Sequence, residues 1–105
     1  MRKIALIVYK PREGRTNELV DSLLENIPIM RKLGYVSFRE QIVAKSRDGS
    51  IIQIFEWLEE DSQEQAMADP IVQDMWMRAT KISDFQKPVE VSEFHETLSM
   101  FEMVF

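Results

Sequence analysis

Cysteine is absent from this 105-residue sequence, and histidine occurs once. The first absence excludes disulfides, thiolate catalysis and thiolate-held metals or clusters. The second excludes a histidine-rich metal site. Positive charge is also scarce: 13 Lys and Arg stand against 18 Asp and Glu, a net charge of −5. The basic residues are scattered, whereas a nucleic-acid partner needs them concentrated on one surface. No apolar run approaches the length of a membrane span. The opening MRKIALIVYKPRE has positive residues ahead of apolar ones, but its apolar run stops after residues 4–9. No small-residue cleavage pattern follows, so it reads as a buried strand rather than a secretion signal. The expected location is the cytoplasm. Glycine numbers only three, at 14, 34 and 49, each at an element junction, and none builds a phosphate-binding loop.

What is present is ordinary for a soluble globular chain: 45% hydrophobic and 30% charged residues. Residues 1–105 are expected to form a single domain. At this size folding removes only about 60–70% of the unfolded chain's surface, so pairing with another copy is a natural source of further burial.

Residues 4–9 favour β-structure and are apolar on both alternating faces, as in a central strand covered on two sides. Pro11 and Gly14 break it, and Thr16 is the expected N-cap of a helix carrying Leu19, Val20, Leu23, Leu24 and Ile27. Pro28 is expected to end or kink that helix, with IPIMRKLG able to add another turn before Gly34 stops it. Asp48-Gly49 then signals a two-residue type I′ hairpin turn. Such a turn would set Ile42 opposite Phe55, Ala44 opposite Gln53 and Glu40 opposite Trp57 on one side of the sheet. Val43 would face Ile54, Gln41 would face Glu56 and Arg39 would face Leu58 on the other. Ser62 and Gln65 have capping-box spacing, and Asp69-Pro70 restarts a helix with Asp as cap and Pro at its first position. Ile71, Val72, Met75, Trp76 and Ala79 form its stripe. VEVSEF after Pro88 is the expected last strand, and TLSMFEMVF a further extended segment.

The order strand, helix, strand, strand, helix, strand predicts an α+β ferredoxin-like sandwich with a four-stranded antiparallel sheet. Each helix has one apolar stripe, so both belong on one sheet face. The strands are apolar on both faces. The bare face therefore calls for a partner, most simply an identical subunit.

Over roughly residues 3–95 the sequence resembles the antibiotic biosynthesis monooxygenase family of the dimeric α/β-barrel superfamily. The likeness rests on YKPREGRTNELVDSLLENIPIMRKLGYVS, DGSIIQIFEW and DPIVQDMW. It implies a homodimer whose two sheets close into a barrel, with a pocket between sheet and helices. Relatives include cofactor-free oxygenases of quinols and polycyclic aromatic compounds, haem-degrading enzymes and members without assigned activity. The haem-degrading members use an Asn, a Trp and a proximal His at positions resembling Ile7, Gln65 and the Met75-Trp76 neighbourhood. The residues here differ at all three, which argues against that reaction. The resemblance thus implies a cofactor-independent monooxygenase of a small aromatic or quinol-type compound; a non-catalytic binding or dimeric interaction module of the same fold is the alternative. Neither metal, haem nor flavin is expected.

Two residues are candidate catalytic bases. Glu40, placed beside Phe38, Ile42, Phe55 and Trp57, would be desolvated and so made basic enough to take a phenolic proton. At the strand's end it could instead reach water or an arginine. His95, in SEFHET, suits a base working near neutral pH, or a partly exposed histidine at a strand end. No nucleophile and orienting group accompany it in that stretch. Tyr9, Trp57 and Trp76 are candidate walls for a flat ligand, or simply core.

Overall fold

The computed structural model describes residues 1–105. The elements are β1 (Ile4–Pro11), α1 (Thr16–Lys32), β2 (Ile42–Lys45), β3 (Ile51–Glu56), α2 (Ser62–Ala68), α3 (Pro70–Ile82), β4 (Ser83–Gln86) and β5 (Glu102–Met103). Two short 3-10 turns, Pro88–Glu90 and Ser92–His95, lie between β4 and β5. The strands make one antiparallel sheet in the order β4-β1-β3-β2-β5. Its first four members give the ferredoxin-like α+β arrangement. The C-terminal tail adds a fifth strand to the four predicted, and Val43 holds it there: its N–H donates to the Phe105 carbonyl, and its own carbonyl accepts from Val104 and Phe105.

The helices share one face of the sheet. Tyr9, Val43, Ile51, Phe55 and Trp57 meet Leu19, Leu23, Ile27 and Met30 of α1, Ala66 of α2, and Val72 and Met75 of α3. Helix α1 runs through Pro28 to Lys32 instead of ending there. Proline leaves the Leu24 carbonyl without a helical donor, but Ile27 and Met30 on either side are both buried, and that burial carries the helix on. Thr16 is the first helical residue rather than the cap; Arg15 occupies the cap position without a side-chain bond. The predicted Ser62–Gln65 capping box does not form either. Ser62 Oγ turns back to accept from the Glu59 N–H (2.9 Å), while Gln65 donates to Asp61. Asp69-Pro70 behaves as predicted, Asp69 accepting from the Ile71 N–H at 2.9 Å with Pro70 opening α3.

The β2–β3 hairpin differs from the predicted register by one residue. Ser46 and Ser50 close it (N–H to O, 2.9 Å), and Gly49 N–H donates back to the Ser46 carbonyl. The loop is therefore Arg47-Asp48-Gly49, with only Gly49 at positive φ (91°). A type I′ turn needs positive φ at both central residues, and Asp48 lacks it; a type I turn followed by a left-handed glycine fits instead. Ile42 consequently pairs with Ile54, Val43 with Gln53 and Ala44 with Ile52. A one-residue slip exchanges faces. Val36, not Glu40, stands opposite Trp57, and Phe38 and Ile42 are exposed rather than stacked beside Phe55.

The last strand also moves. Helix α3 passes without a loop into Ser83–Gln86, which pairs with β1 from Pro11 back to Val8. VEVSEF instead forms the 3-10 turns, because β4 and β5 lie at opposite edges and the chain between them must cross the sheet. It crosses the face away from the helices, where Val91 packs on Val8, Ala44 and Ile52, flanked by Phe94 and Phe101. Arg47 at the hairpin tip fastens this strap: its backbone N–H donates to Glu93 (2.7 Å) and its guanidinium to Glu96 (2.8 Å). So the face expected to be bare is half covered by the chain itself. The other half, around Ile4, Leu6 and Ile42, remains exposed.

Candidate functional site

Strand β4 stops at Gln86, opposite Val8, so the first half of β1 has no neighbour on that side. A cleft of about 320 Å³ opens at this corner, lined by Lys3, Ala5, Ile7, Trp57, Gln63 and Trp76 among eight residues. Alternation puts Ala5 and Ile7 on the helix side of β1, packed against the core cluster that holds Trp57. Trp57 follows β3 directly. Its backbone N–H donates to the Lys3 carbonyl (2.9 Å), and its ring meets Phe55 edge-on at 5.0 Å. Trp76 is half-buried beside the buried Met75 of α3, and Gln63 comes from the first turn of α2. The orientation of α3 is braced from below. Tyr35 donates its hydroxyl to the Asp69 cap at 2.6 Å, which holds the Asp69 carboxyl below its usual range and the Tyr35 phenol above its own.

Two of the three predicted ligand walls, Trp57 and Trp76, thus come together. Tyr9 does not join them. It is fully buried between the sheet and α1, where its hydroxyl donates to Gln53 Oε1 (2.9 Å), Gln53 Nε2 to Gln41 Oε1 (3.0 Å), and Gln41 Nε2 to the Leu23 carbonyl (3.2 Å). Burial pushes the Tyr9 phenol well above its ordinary 10.0. No buried side-chain nitrogen or oxygen lacks a partner, so the polar groups around Tyr9 form a satisfied core.

The two candidate bases lie elsewhere. Glu40 is exposed and rims a separate hollow of about 330 Å³ on the opposite sheet face, floored by Ile4, Ile42 and Ile54. Beside it Glu56 is held ionised below its usual range by the Ser37 hydroxyl and by the Arg39 and Arg2 guanidinium groups, at 3.2 and 3.5 Å. His95 ends the second 3-10 turn, exposed, and its Nε2–H donates to the Val89 carbonyl at 2.7 Å. No three His, Asp or Glu side chains converge closely enough to hold a metal ion, and no helix is long and apolar enough to cross a membrane.

Sequence reasoning did not single out Lys3 or Gln63, the polar part of the cleft, or Gln41 and Gln53, the buried relay. Period-two alternation from Tyr9 back through Ile7 and Ala5 was the available signal for the cleft floor. For the glutamines there was none without the correct register.

No protein-family model matches the sequence, and no curated protein is similar enough in sequence to match it. Among solved structures, one described as a "putative Antibiotic biosynthesis monooxygenase" from Chloroflexus aurantiacus J-10-fl superposes with a TM-score of 0.63. The two chains are 18% identical, and the match covers 83% of this chain and 87% of the other. At that identity the likeness speaks for the fold. The chain shares the fold of that structure, a ferredoxin-like α+β sheet with its helices on one face.

Proposed function

We propose that this chain is a monooxygenase-like domain that takes a small aromatic or quinol-type compound into the cleft between Trp57 and Trp76 and works as a homodimer. The observation that carries this is the pairing of two indoles over an apolar β1 floor, with Lys3 at the same opening. Flat π-systems stack on such walls. An ammonium group beside a bound phenol or quinol favours its anion. Oxygenation without a cofactor needs that anion, because the substrate itself must pass an electron to dioxygen. Glu40 and His95 lie outside the cleft, so in this reading water removes the proton and Lys3 stabilises the charge left behind.

The same separation of Glu40 and His95 from the indoles favours a second reading, a non-catalytic binder of the same compounds. Oxygen uptake over a panel of quinols and phenols, with tryptophan quenching recorded on the same panel, distinguishes the two. Quenching that is lost in Trp76→Ala, together with oxygen uptake lost in Lys3→Met, supports the oxygenase. Quenching without uptake leaves the binder. No quenching by any compound rejects both.

The homodimer draws support from the uncovered half of the sheet face, where Ile4, Leu6 and Ile42 are exposed together.

A further inference from the structure

Lys3 to Ile7 line the cleft without a gap. Ile4 and Leu6 belong to one face of the sheet and Ala5 and Ile7 to the other, so both sets can border one opening only at the strand's own edge. The backbone orientation there follows from its neighbours. Trp57 N–H donates to the Lys3 carbonyl, so Lys3, Ala5 and Ile7 turn their backbone groups toward β3. Arg12 N–H donates to the Ile82 carbonyl, so Arg12, Lys10 and Val8 turn theirs toward β4. Ile4 and Leu6 continue that second series beyond Gln86, where β4 has ended. Their backbone N–H and C=O groups meet no backbone partner and open onto the cleft.

A strand residue at a free edge offers a donor and an acceptor side by side, pointing the same way. Such groups require hydrogen bonds and take them from water or from a ligand. Two outward-pointing residues are too few for a peptide strand, which usually runs to about five or six. A cleft of about 320 Å³ with two indoles in its lining suits a small flat molecule instead. Resting on the reading that this cleft takes a small aromatic compound, we propose that Leu6 is its hydrogen-bonding anchor and that the compound carries a lactam fused to its aromatic ring. The Leu6 N–H donates to the lactam carbonyl, the lactam N–H donates to the Leu6 carbonyl, and the ring lies against Trp57 and Trp76. Leu6 rather than Ile4 takes this part because its neighbours on both sides, Ala5 and Ile7, form the apolar floor. Selectivity then comes from the main chain.

Amide exchange and shift titration with carbostyril, a benzo-fused lactam, test this, with N-methylcarbostyril and β-naphthol as comparators. In the free protein the Leu6 amide should exchange fast while that of Ile7, bonded to β3, is protected. Saturating carbostyril should slow the Leu6 amide. N-Methylcarbostyril cannot donate and leaves the Leu6 carbonyl unmet, so it should bind about tenfold more weakly. Leu6→Pro deletes the N–H in question without touching the β3 ladder, and proline is accepted where a strand's N–H faces outward. Carbostyril should lose about tenfold in that variant, whereas Leu6→Ala, which keeps the N–H, should bind it as the parent does. If Leu6→Pro melts early, the two lactams on the parent protein decide. Equal affinity for both lactams, or a Leu6 amide that carbostyril does not slow, overturns the lactam anchor; binding of β-naphthol beside that result leaves the aromatic cleft standing. A Leu6 amide already protected in the free protein means that another strand covers the edge, and overturns the anchor as well. Binding by none of the three compounds rejects the aromatic cleft and this inference together.

Discussion

Tyr9 carries a hydroxyl into the interior between the sheet and α1, where a single run of donors through Gln53 and Gln41 to the Leu23 carbonyl satisfies it. Tyr9→Phe keeps the ring but leaves Gln53 Oε1 buried without a donor. The cost should be about 1–3 kcal/mol, read from urea unfolding. Both tyrosines, Tyr9 through burial and Tyr35 through its bond to Asp69, have raised pKa values in the folded chain. Their contribution to stability is therefore complete below the ordinary phenol value of 10.0 and is lost as pH rises toward the folded values. Phenolate absorbance should lag behind that of free tyrosine on alkaline titration and then appear together with unfolding. Ordinary titration of both residues in a folded protein would contradict the burial of Tyr9. Trp57, 7% exposed and packed on Phe55, belongs to the core as well as to the cleft. Trp57→Ala should cost about 3–5 kcal/mol; the half-exposed Trp76 should cost less on truncation and is the cleaner probe of ligand binding.

Among the elements, α3 shows how a local signal becomes structure. Asp69 accepts from the Ile71 N–H, Pro70 supplies a helical φ at no cost in hydrogen bonds, and Tyr35 clamps the cap from the end of α1. Asp69→Ala should lower stability by about 0.5–2 kcal/mol through the cap alone, with a further loss from the unpaired Tyr35 hydroxyl. Asp69→Asn should recover most of it, and equal losses in the two variants would argue against capping as the cause. Such features were legible because they depend on residues a few positions apart, as did the stripes of α1 and α3 and the junction glycines. The hairpin was half legible. Asp48-Gly49 marks a turn, but whether two or three residues form the loop depends on the φ of Asp48, and the answer moved Glu40 to the other face, away from Trp57. Strand β4 was missed because Ser83–Gln86 has no apolar alternation and follows a helix without a break. Of the site, the two indoles were legible, Trp57 as a large aromatic at the end of the β3 run and Trp76 within the apolar stripe of α3. Lys3 and Gln63 were not, because only the early end of β4 opens the cleft they line.

For the molecule as a whole, the strap is the part whose hold on the sheet depends on ionisation. Glu93 is buried, yet its carboxylate accepts from the backbone N–H of Arg47, the Ser92 hydroxyl and, by charge, the Arg47 guanidinium at 3.5 Å, which Glu96 shares. The Arg47 N–H bond, first among these, holds the Glu93 carboxyl below its ordinary 4.5. A depressed folded value means that the stabilisation is present above the ordinary value and is lost as pH falls through the folded one. Glu56, Asp69, Asp48 and Glu18 share that direction and contribute to the acid limit of the whole chain. Glu93, however, is the one that fastens a segment joined to the sheet by few other bonds, so the strap should open before the sheet does. Hydrogen exchange on a pH series falling below 4.5 should show the Val91 and Phe94 amides losing protection ahead of those of Ala44 and Ile52. Glu93→Gln should show the same early loss already at neutral pH. Simultaneous loss at strap and sheet would mean that the strap is part of the cooperative core and that Arg47 and Glu93 are not what holds it closed.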